Sequence, residues 1–383
     1  MTADQMNIES QKALGRDDEL KPYLNPATTR FLSRVLKAIL QDPGLPRQNP
    51  TVSAWQVPPH PSLASIQSGV LPEITDYAVI GSGITGCSVT KTLLEHPATA
   101  DSHITVLEAR TLVSGATGRN GGHLVTASGH TFGPLAEQHG IEAAREITRF
   151  SLMNIEHLMK LVGALDPALQ EECQIRDVLK VMAVGDEETW ASAKNSVLSF
   201  QDNVPEHSNY HRIIERDQVP EQNALTERIW IGNETAYMKD ILTPDDTYVP
   251  DEAKQALSTV LPKLFWHGWG LETVSEIESI WSGIQGHTAD GLPVVGKIPE
   301  SLTGTADDDG QWIAAGFNGY GMDKCWLTGE ALVKMMLGED VSEWFPQAFL
   351  VTEERLQTKL TAERTLLKFA MISLPGGVKE GKL

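Results

Sequence analysis

Cysteine is scarce in this chain: its 383 residues hold three, Cys87, Cys173 and Cys325. Their spacing matches neither a metal-ligand set nor a redox pair, so free thiols in a reducing interior are expected rather than a disulfide framework. Long apolar runs are missing as well. No stretch approaches the roughly 18 residues of a membrane span, and Met1-Thr2-Ala3-Asp4-Gln5 lacks the basic patch and apolar core of a secretion signal. Positive charge is in the minority, with 31 Lys and Arg against 51 Asp and Glu and a formal net charge of -20. That balance argues against nucleic acid or an anionic membrane as a partner. No Gly-x-Ser-x-Gly elbow, no His-Glu-x-x-His pair and no cysteine-rich metal motif occurs, and His130, His139 and His157 have no ligand spacing, so no metal is expected. These absences predict a soluble cytoplasmic protein. A peroxisomal location is the minor alternative, because Gly381-Lys382-Leu383 misses the Ser-Lys-Leu address at its first position. Asn233-Glu234-Thr235 fits the glycosylation pattern and, without a secretion signal, is read as coincidence.

What is present is organised around residues 76–122. With 41% hydrophobic residues the chain has ample material for a core, in two domains or one large discontinuous one. Asp76-Tyr77-Ala78-Val79-Ile80 reads as a buried parallel strand and leads directly into Gly81-Ser82-Gly83-Ile84-Thr85-Gly86. Gly81 permits the tight turn, Gly83 lets backbone N–H groups approach a pyrophosphate, and Gly86 lets the next helix pack close to the strand. That helix is expected over 84–94, with the positive end of its dipole toward the diphosphate. The second strand, Ile104-Thr105-Val106-Leu107, ends on Glu108, followed by Ala109 and Arg110. A carboxylate about 20 residues past the glycines accepts hydrogen bonds from an adenosine ribose and repels a 2′-phosphate. NADP is thereby disfavoured, and NAD and FAD remain.

Val113-Ser114-Gly115-Ala116-Thr117-Gly118-Arg119-Asn120-Gly121-Gly122-His123 follows the second strand at once. Far downstream stands Trp281-Ser282-Gly283-Ile284-Gln285-Gly286-His287-Thr288-Ala289-Asp290-Gly291-Leu292-Pro293-Val294-Val295-Gly296. A short strand, Trp312-Ile313-Ala314-Ala315, then leads to Gly316-Phe317-Asn318-Gly319-Tyr320-Gly321-Met322 and to a helix whose Ala331, Leu332, Met335 and Met336 share a face. In these motifs and their order the chain resembles the FAD-dependent oxidoreductases of the D-amino acid oxidase, glycine oxidase and sarcosine oxidase superfamily. The resemblance implies that Arg119, Asn120, Gly121 and Gly122 lie beside the flavin. It also implies that residues 316–322 and the helix after them close over its ring, with N–H groups near the pyrimidine. The cofactor-binding set expected is Gly81, Ser82, Gly83, Ile84, Thr85, Gly86, Glu108, Ala109, Arg110, Arg119 to Gly122 and Gly316 to Met322.

The implied architecture is α/β: a Rossmann-like FAD-binding domain assembled from both ends of the chain, residues 72–140 and 276–345, with a reduced α+β substrate region, 141–275, inserted. Residues 1–71 form an extension and connector, and 346–383 a tail. In the extension, 1–28 is polar and expected to be mobile, a helix is expected over 29–41 and ended by Pro43-Gly44, and 45–72 is a proline-rich segment laid over a surface. Helical periodicity runs through 134–162 as one long helix or two. A strand is expected over 178–184, and helices over 187–200 and 252–261. Between residues 200 and 276 the run of strands that builds the substrate sheet in the family is missing.

The reaction implied is oxidation of a C–N bond of an amine or amino acid, with hydride passing to the flavin and then electrons to oxygen or another acceptor. The flavin is expected to be held without a covalent bond, since the loop after the second strand offers Arg119 and the downstream glycine segment has no cysteine. No catalytic residue is singled out; Tyr320 faces either the substrate or the core. Two other readings stay open: an FAD-binding protein that has lost turnover with the missing block, and a nicotinamide dehydrogenase.

Overall fold

The computed structural model describes residues 26–175, 180, 182, 184, 186–215, 231–232, 242–264, 277–304 and 310–373. Four short strands and a larger number of helices make up these regions. Strand β1 (Tyr77–Ile80) and strand β2 (Ile104–Leu107) pair in parallel, Tyr77 opposite Ile104 and Ile80 opposite Leu107, with helix α2 (Ile84–Glu95) as the crossover between them. This is the expected βαβ unit, but its first strand is not buried as expected: the core packs on the Tyr77 and Val79 face only, and Ala78 and Ile80 are exposed. A second pair, β3 (Val294–Lys297) and β4 (Trp312–Ala315), runs antiparallel. Strand β3 emerges from the tail of the Trp281 segment, where no strand was expected; Val294 and Val295 are β-branched residues of the kind that fit a pleated surface.

Helix α1 (Pro26–Leu40) precedes the proline-rich strap. Helices α3 (Ser128–His139) and α4 (Ile141–Gly163) answer the 134–162 periodicity as two helices, beginning six residues earlier than that pattern. The break is Gly140, at φ 87°, a conformation that glycine adopts without steric cost. Short α5 (Pro167–Cys173) is capped by Asp166, whose carboxylate accepts from Ala168 and Leu169 N–H, and α6 (Glu187–Asn203) by Asp186 through Thr189 N–H. Such caps satisfy donors that have no partner inside the helix. Helix α7 (Asp251–Leu264) follows, then α8 (Glu300–Thr303) between the antiparallel strands, α9 (Cys325–Met336), α10 (Glu353–Thr358) and α11 (Ala362–Ser373). Among the described residues of 141–275 there is no strand. The strand expected over 178–184 lies largely outside the described residues, and so do residues 1–25 and 233–241.

The main core draws on both ends of the chain. Val89 and Leu93 of α2, Ile147 and Phe150 of α4, Val295 of β3 and Leu327, Ala331, Leu332 and Val333 of α9 form one buried cluster with Phe345 and Phe349. Phe150 meets Phe345 and Phe349 edge-on at 5.3 and 5.9 Å, the arrangement favoured by ring quadrupoles. Helices α2 and α9 approach closely because small residues face each other. A Cβ on Gly329 would lie 2.6 Å from Ser88 Cβ, and Ser88 Oγ donates to Trp326 O at 2.6 Å. A separate cluster joins the two ends of the chain: Leu32, Val35 and Leu36 of α1 pack on Leu366 of α11, with Leu242 beside them.

Candidate cofactor site

The glycine turn after β1 is built as its sequence demands. Gly81 has φ 102°, and its N–H continues the β ladder to Leu107 O at 2.8 Å. A Cβ on Gly86 would stand 2.0 Å from Gly81 O, so α2 can begin directly under the turn only with glycine there. In front of Gly81 the space is open: a Cβ there would meet nothing within 4 Å. Among the helix-entry amides, Ser82 N–H is taken by Glu108 and Ile84 N–H by Thr117 Oγ1 at 2.9 Å, while Gly83, Thr85 and Gly86 N–H meet no acceptor among the described residues. Three unmatched donors at a helix N-terminus are the groups with which proteins take up phosphate oxygens.

Glu108 sits at the end of β2 against this turn. Its Oε2 accepts from Ser82 Oγ at 2.6 Å and Ser82 N–H at 3.0 Å, and Oε1 from Arg110 N–H at 3.2 Å. Burial would raise its carboxyl, but these bonds, with that of Ala109 N–H, hold it below the usual carboxylate range. The anion is thus fixed beside the turn, half-buried and with lone pairs to spare.

The second glycine loop is pinned by Arg119, whose side chain is 2% exposed. Its guanidinium donates to Ser114 O at 2.8 Å, Thr51 Oγ1 at 3.0 Å, Ser282 O at 2.9 Å and Thr51 O. Asp246, 3.6 Å from Arg119 and 2.9 Å from Arg110, supplies the counter-charge. Arg119 therefore holds the loop's shape through these bonds. Ser53 Oγ donates to Gly118 O, and Thr51 N–H to Asp246 O at 2.8 Å, so the proline-rich strap is laid along the back of this loop. Arg110, Gly115, Ala116 and Asp246 also line a cavity of about 230 Å³.

The third glycine loop, 316–322, closes on the other two. Asn318, at φ 54°, accepts from Thr288 N–H at 2.9 Å through Oδ1 and donates its own N–H to Gly286 O at 3.0 Å, which locks it to the Trp281 segment. Asn120 Nδ2 reaches Met322 Sδ at 3.6 Å, joining the second loop to the third. Cys325 Sγ lies against Gly321, where a Cβ would come within 2.9 Å of it, and interacts with Thr85 of the first turn. Burial pushes the Cys325 thiol up to about 11, so it stays a thiol at neutral pH. From below, Asn154 of α4 donates to Met322 O at 3.0 Å and accepts from Leu327 N–H at 2.9 Å, and Ser151 donates to buried Asp323 at 2.5 Å. Gly321, Met322 and Asp323 N–H meet no acceptor among the described residues. Tyr320 is half-buried on this loop.

Three glycine loops from three parts of the chain thus meet at one place, each presenting unmatched amide donors. The family model described as FAD dependent oxidoreductase matches residues 76–221 and 195–335, together more than half of the chain. The chain belongs to the FAD-dependent oxidoreductase family. No curated protein and no solved structure matches it. Membership makes it an oxidoreductase and a flavoprotein: its cofactor is FAD, which the family usually holds without a covalent bond, and its reaction needs a small-molecule substrate and an electron acceptor.

The residues present fit that cofactor. Donors for a diphosphate at Gly83, Thr85 and Gly86, a fixed carboxylate at Glu108 and donors at 321–323 suit the dinucleotide that the family binds. The expected site residues lie on these three loops and, for Glu108, Ala109 and Arg110, just past the end of β2, with two differences of role. Ser82 and Ile84 N–H are engaged within the protein, and Arg119 is a buried brace. Residues that sequence reasoning passed over are Thr51, Asp246, Ser282 and Asn154. Polar side chains at these positions give no local signal, because each acquires its role from a partner more than 60 residues away. Among the described residues no group of three His, Cys, Asp or Glu side chains is placed to hold a metal.

Proposed function

We propose that this flavoprotein oxidises a C–N bond of a small amine or amino acid. FAD, when bound, would supply the two-electron acceptor for the hydride of the carbon bearing nitrogen, with an imine as the product and oxygen or another acceptor receiving the electrons. The protein's share is binding, orientation and exclusion of water. Gly83, Thr85 and Gly86 N–H would hold the diphosphate at the positive end of α2, and Glu108 would accept from the ribose. The amides at 321–323, at the start of α9, would stabilise negative charge that develops on the ring. Asn154 and Ser151 keep those amides in place from α4. The observation that carries the reading is the convergence of the three loops with their donors unclaimed.

A second reading has its own support: the protein binds FAD but turns over slowly or not at all. The family model matches in two pieces that overlap near residue 200. Ile80 is 87% exposed, Val106 39% and Leu107 40%, so the sheet carries apolar residues that a complete domain would cover. An apolar cavity of about 460 Å³ lies beside them, lined by Cys87, Thr90, Leu94, Val106 and Leu112. Orientation of a reacting carbon can lower a barrier by about 7 to 11 kcal/mol, and an incomplete substrate pocket forfeits that contribution first.

One experiment separates the readings. The purified, FAD-loaded protein is mixed anaerobically with primary, secondary and N-methylated amines and with both enantiomers of amino acids, and the flavin absorbance is followed. Bleaching by a member of the panel supports C–N oxidation. A yellow protein that none of them bleaches supports the second reading, and a colourless protein that binds no FAD would refute both.

A further inference from the structure

Two tryptophans from distant parts of the chain hold consecutive carbonyls of the Arg119-Asn120-Gly121-Gly122 loop. Trp281 donates its indole N–H to Arg119 O at 2.9 Å, and Trp55 donates to Asn120 O at 2.8 Å. A trans peptide is planar, with its C=O and N–H on opposite sides. Pinning the Arg119 and Asn120 carbonyls therefore turns the N–H groups of Asn120 and Gly121 away from the indoles. Neither N–H meets an acceptor among the described residues, whereas the next one, Gly122 N–H, is taken by Asn120 Oδ1 at 2.7 Å.

The ring of Trp55 is fitted to this loop as closely as its N–H. Gly122 has φ 73°, and a Cβ there would lie 2.5 Å from the indole, so the ring rests on backbone that only glycine leaves bare. The strap is anchored just before Trp55, through Thr51 to Arg119 and Asp246 and through Ser53 to Gly118. Trp55 lies N-terminal to the span that the family model matches, 76–335. A solvated helix-like turn in a connector has no need of such an anchor; a loop that must present two amides in fixed directions does.

We propose that Trp55 is a positioning residue for the flavin: with Trp281 it orients the Asn120 and Gly121 amides as a donor pair for acceptor atoms of bound FAD. The proposal rests on FAD as cofactor and is independent of the substrate. A hydrogen bond to a neutral carbonyl contributes modestly to stability. Its loss frees the peptide plane to turn, and the cost then falls on the ligand that used the amide. Trp55 is 41% exposed, so water replaces the lost indole donor without leaving a buried carbonyl unsatisfied.

The test compares Trp55→Phe, which keeps a ring on Gly122 but has no N–H, with Trp55→Ala and with Trp190→Phe on α6 as a control. Three quantities are read on flavin-free and reloaded protein: FAD affinity by calorimetry, the flavin absorption spectrum, and the melting temperature of the flavin-free form. Trp55→Phe is expected to weaken FAD by roughly three- to tenfold and to shift the flavin bands, with the flavin-free melting temperature within about 2 °C of the parent. Trp190→Phe should change none of the three. Unchanged FAD affinity and spectrum in Trp55→Phe would overturn the proposal. So would a loss of affinity that appears only with a matching fall in melting temperature, since that marks a brace and nothing more. A parent protein that takes up no FAD would overturn it together with the cofactor assignment, and that outcome is visible before any variant is made.

Discussion

Glu108 and Arg355 are both charged residues held by several hydrogen bonds, and they do opposite things. Glu108 is half-buried at a rim, fastened on one side and open on the other. Glu108→Ala is expected to weaken FAD by tenfold or more, since a hydrogen bond to a charged group contributes about 1.5 to 3 kcal/mol; calorimetric titration checks it, and equal affinity would remove Glu108 from the site. Arg355 is buried, bidentate to Asp290 at 2.8 and 3.1 Å, with its remaining N–H groups on Leu292, Pro293, Phe349 and Leu350 carbonyls. It ties the tail to the Asp290-Gly291 turn that leads into β3. Removing one partner of a buried pair strands the other, so Arg355→Ala should cost about 3 to 5 kcal/mol, read by denaturant unfolding, with the larger loss if Asp290 is left in place. His130 and His211 form a third case. Burial lowers both to about 4; for His130, Lys180 adds to this, and for His211, His130 and then Lys180 do. His211 bonds Ser128 Oγ at 3.0 Å, while His130 Nε2 is buried with no hydrogen-bond partner among the described residues. In the unfolded chain both take up protons near pH 6.5, in the folded one only near pH 4. Stability is therefore fully present above about pH 6.5 and is lost as pH falls toward 4. Thermal melting across that range should show the loss, and His211→Gln should flatten it.

At the scale of elements, the contact between α2 and α9 decides whether two of the glycine loops stay together. Both helices begin at such a loop, and they touch through Thr85, Ser88, Cys325 and Gly329. Gly329→Val would push a branched side chain into Ser88 and Thr85 O, which a Cβ alone would already approach at 2.9 Å. Overpacking costs roughly 1 to 3 kcal/mol. The expected result is a lower melting temperature together with weaker FAD retention, because the helix starts move apart. A variant that melts earlier but keeps its FAD affinity would show that the two loops do not depend on that contact.

For the whole molecule the decisive feature is that, among the described residues, no further strand joins β1 and β2. Exposed Ile80, Val106 and Leu107 beside an apolar cavity are a surface for self-association, opposed by a formal charge of -20. Sedimentation velocity should therefore show association that grows as salt screens the charge, and Val106→Lys should suppress it without loss of FAD. A monomer at high salt would mean that the face is covered in solution.

Local signals in the sequence were enough for the βαβ unit. The run 77–80, the three glycines, the helix and the strand 104–107 are consecutive, and each is written in the chemistry of neighbouring residues: apolar alternation, positive φ, close approach. Strand 312–315 and the helices over 187–203 and 251–264 were legible for the same reason, with ends displaced by a few residues because frayed turns carry no sharp signal. The division of 128–163 into two helices turned on one backbone angle at Gly140. Only the tertiary structure decided the roles of Arg119, Asp246 and Trp55. Arg119 reads as a cation beside a cofactor, and becomes a brace because Thr51 and Ser282 bring carbonyl oxygens to it from 68 and 163 residues away. Hydrogen bonds of such sequence separation are set by how the layers pack, and no pattern of neighbouring residues encodes them.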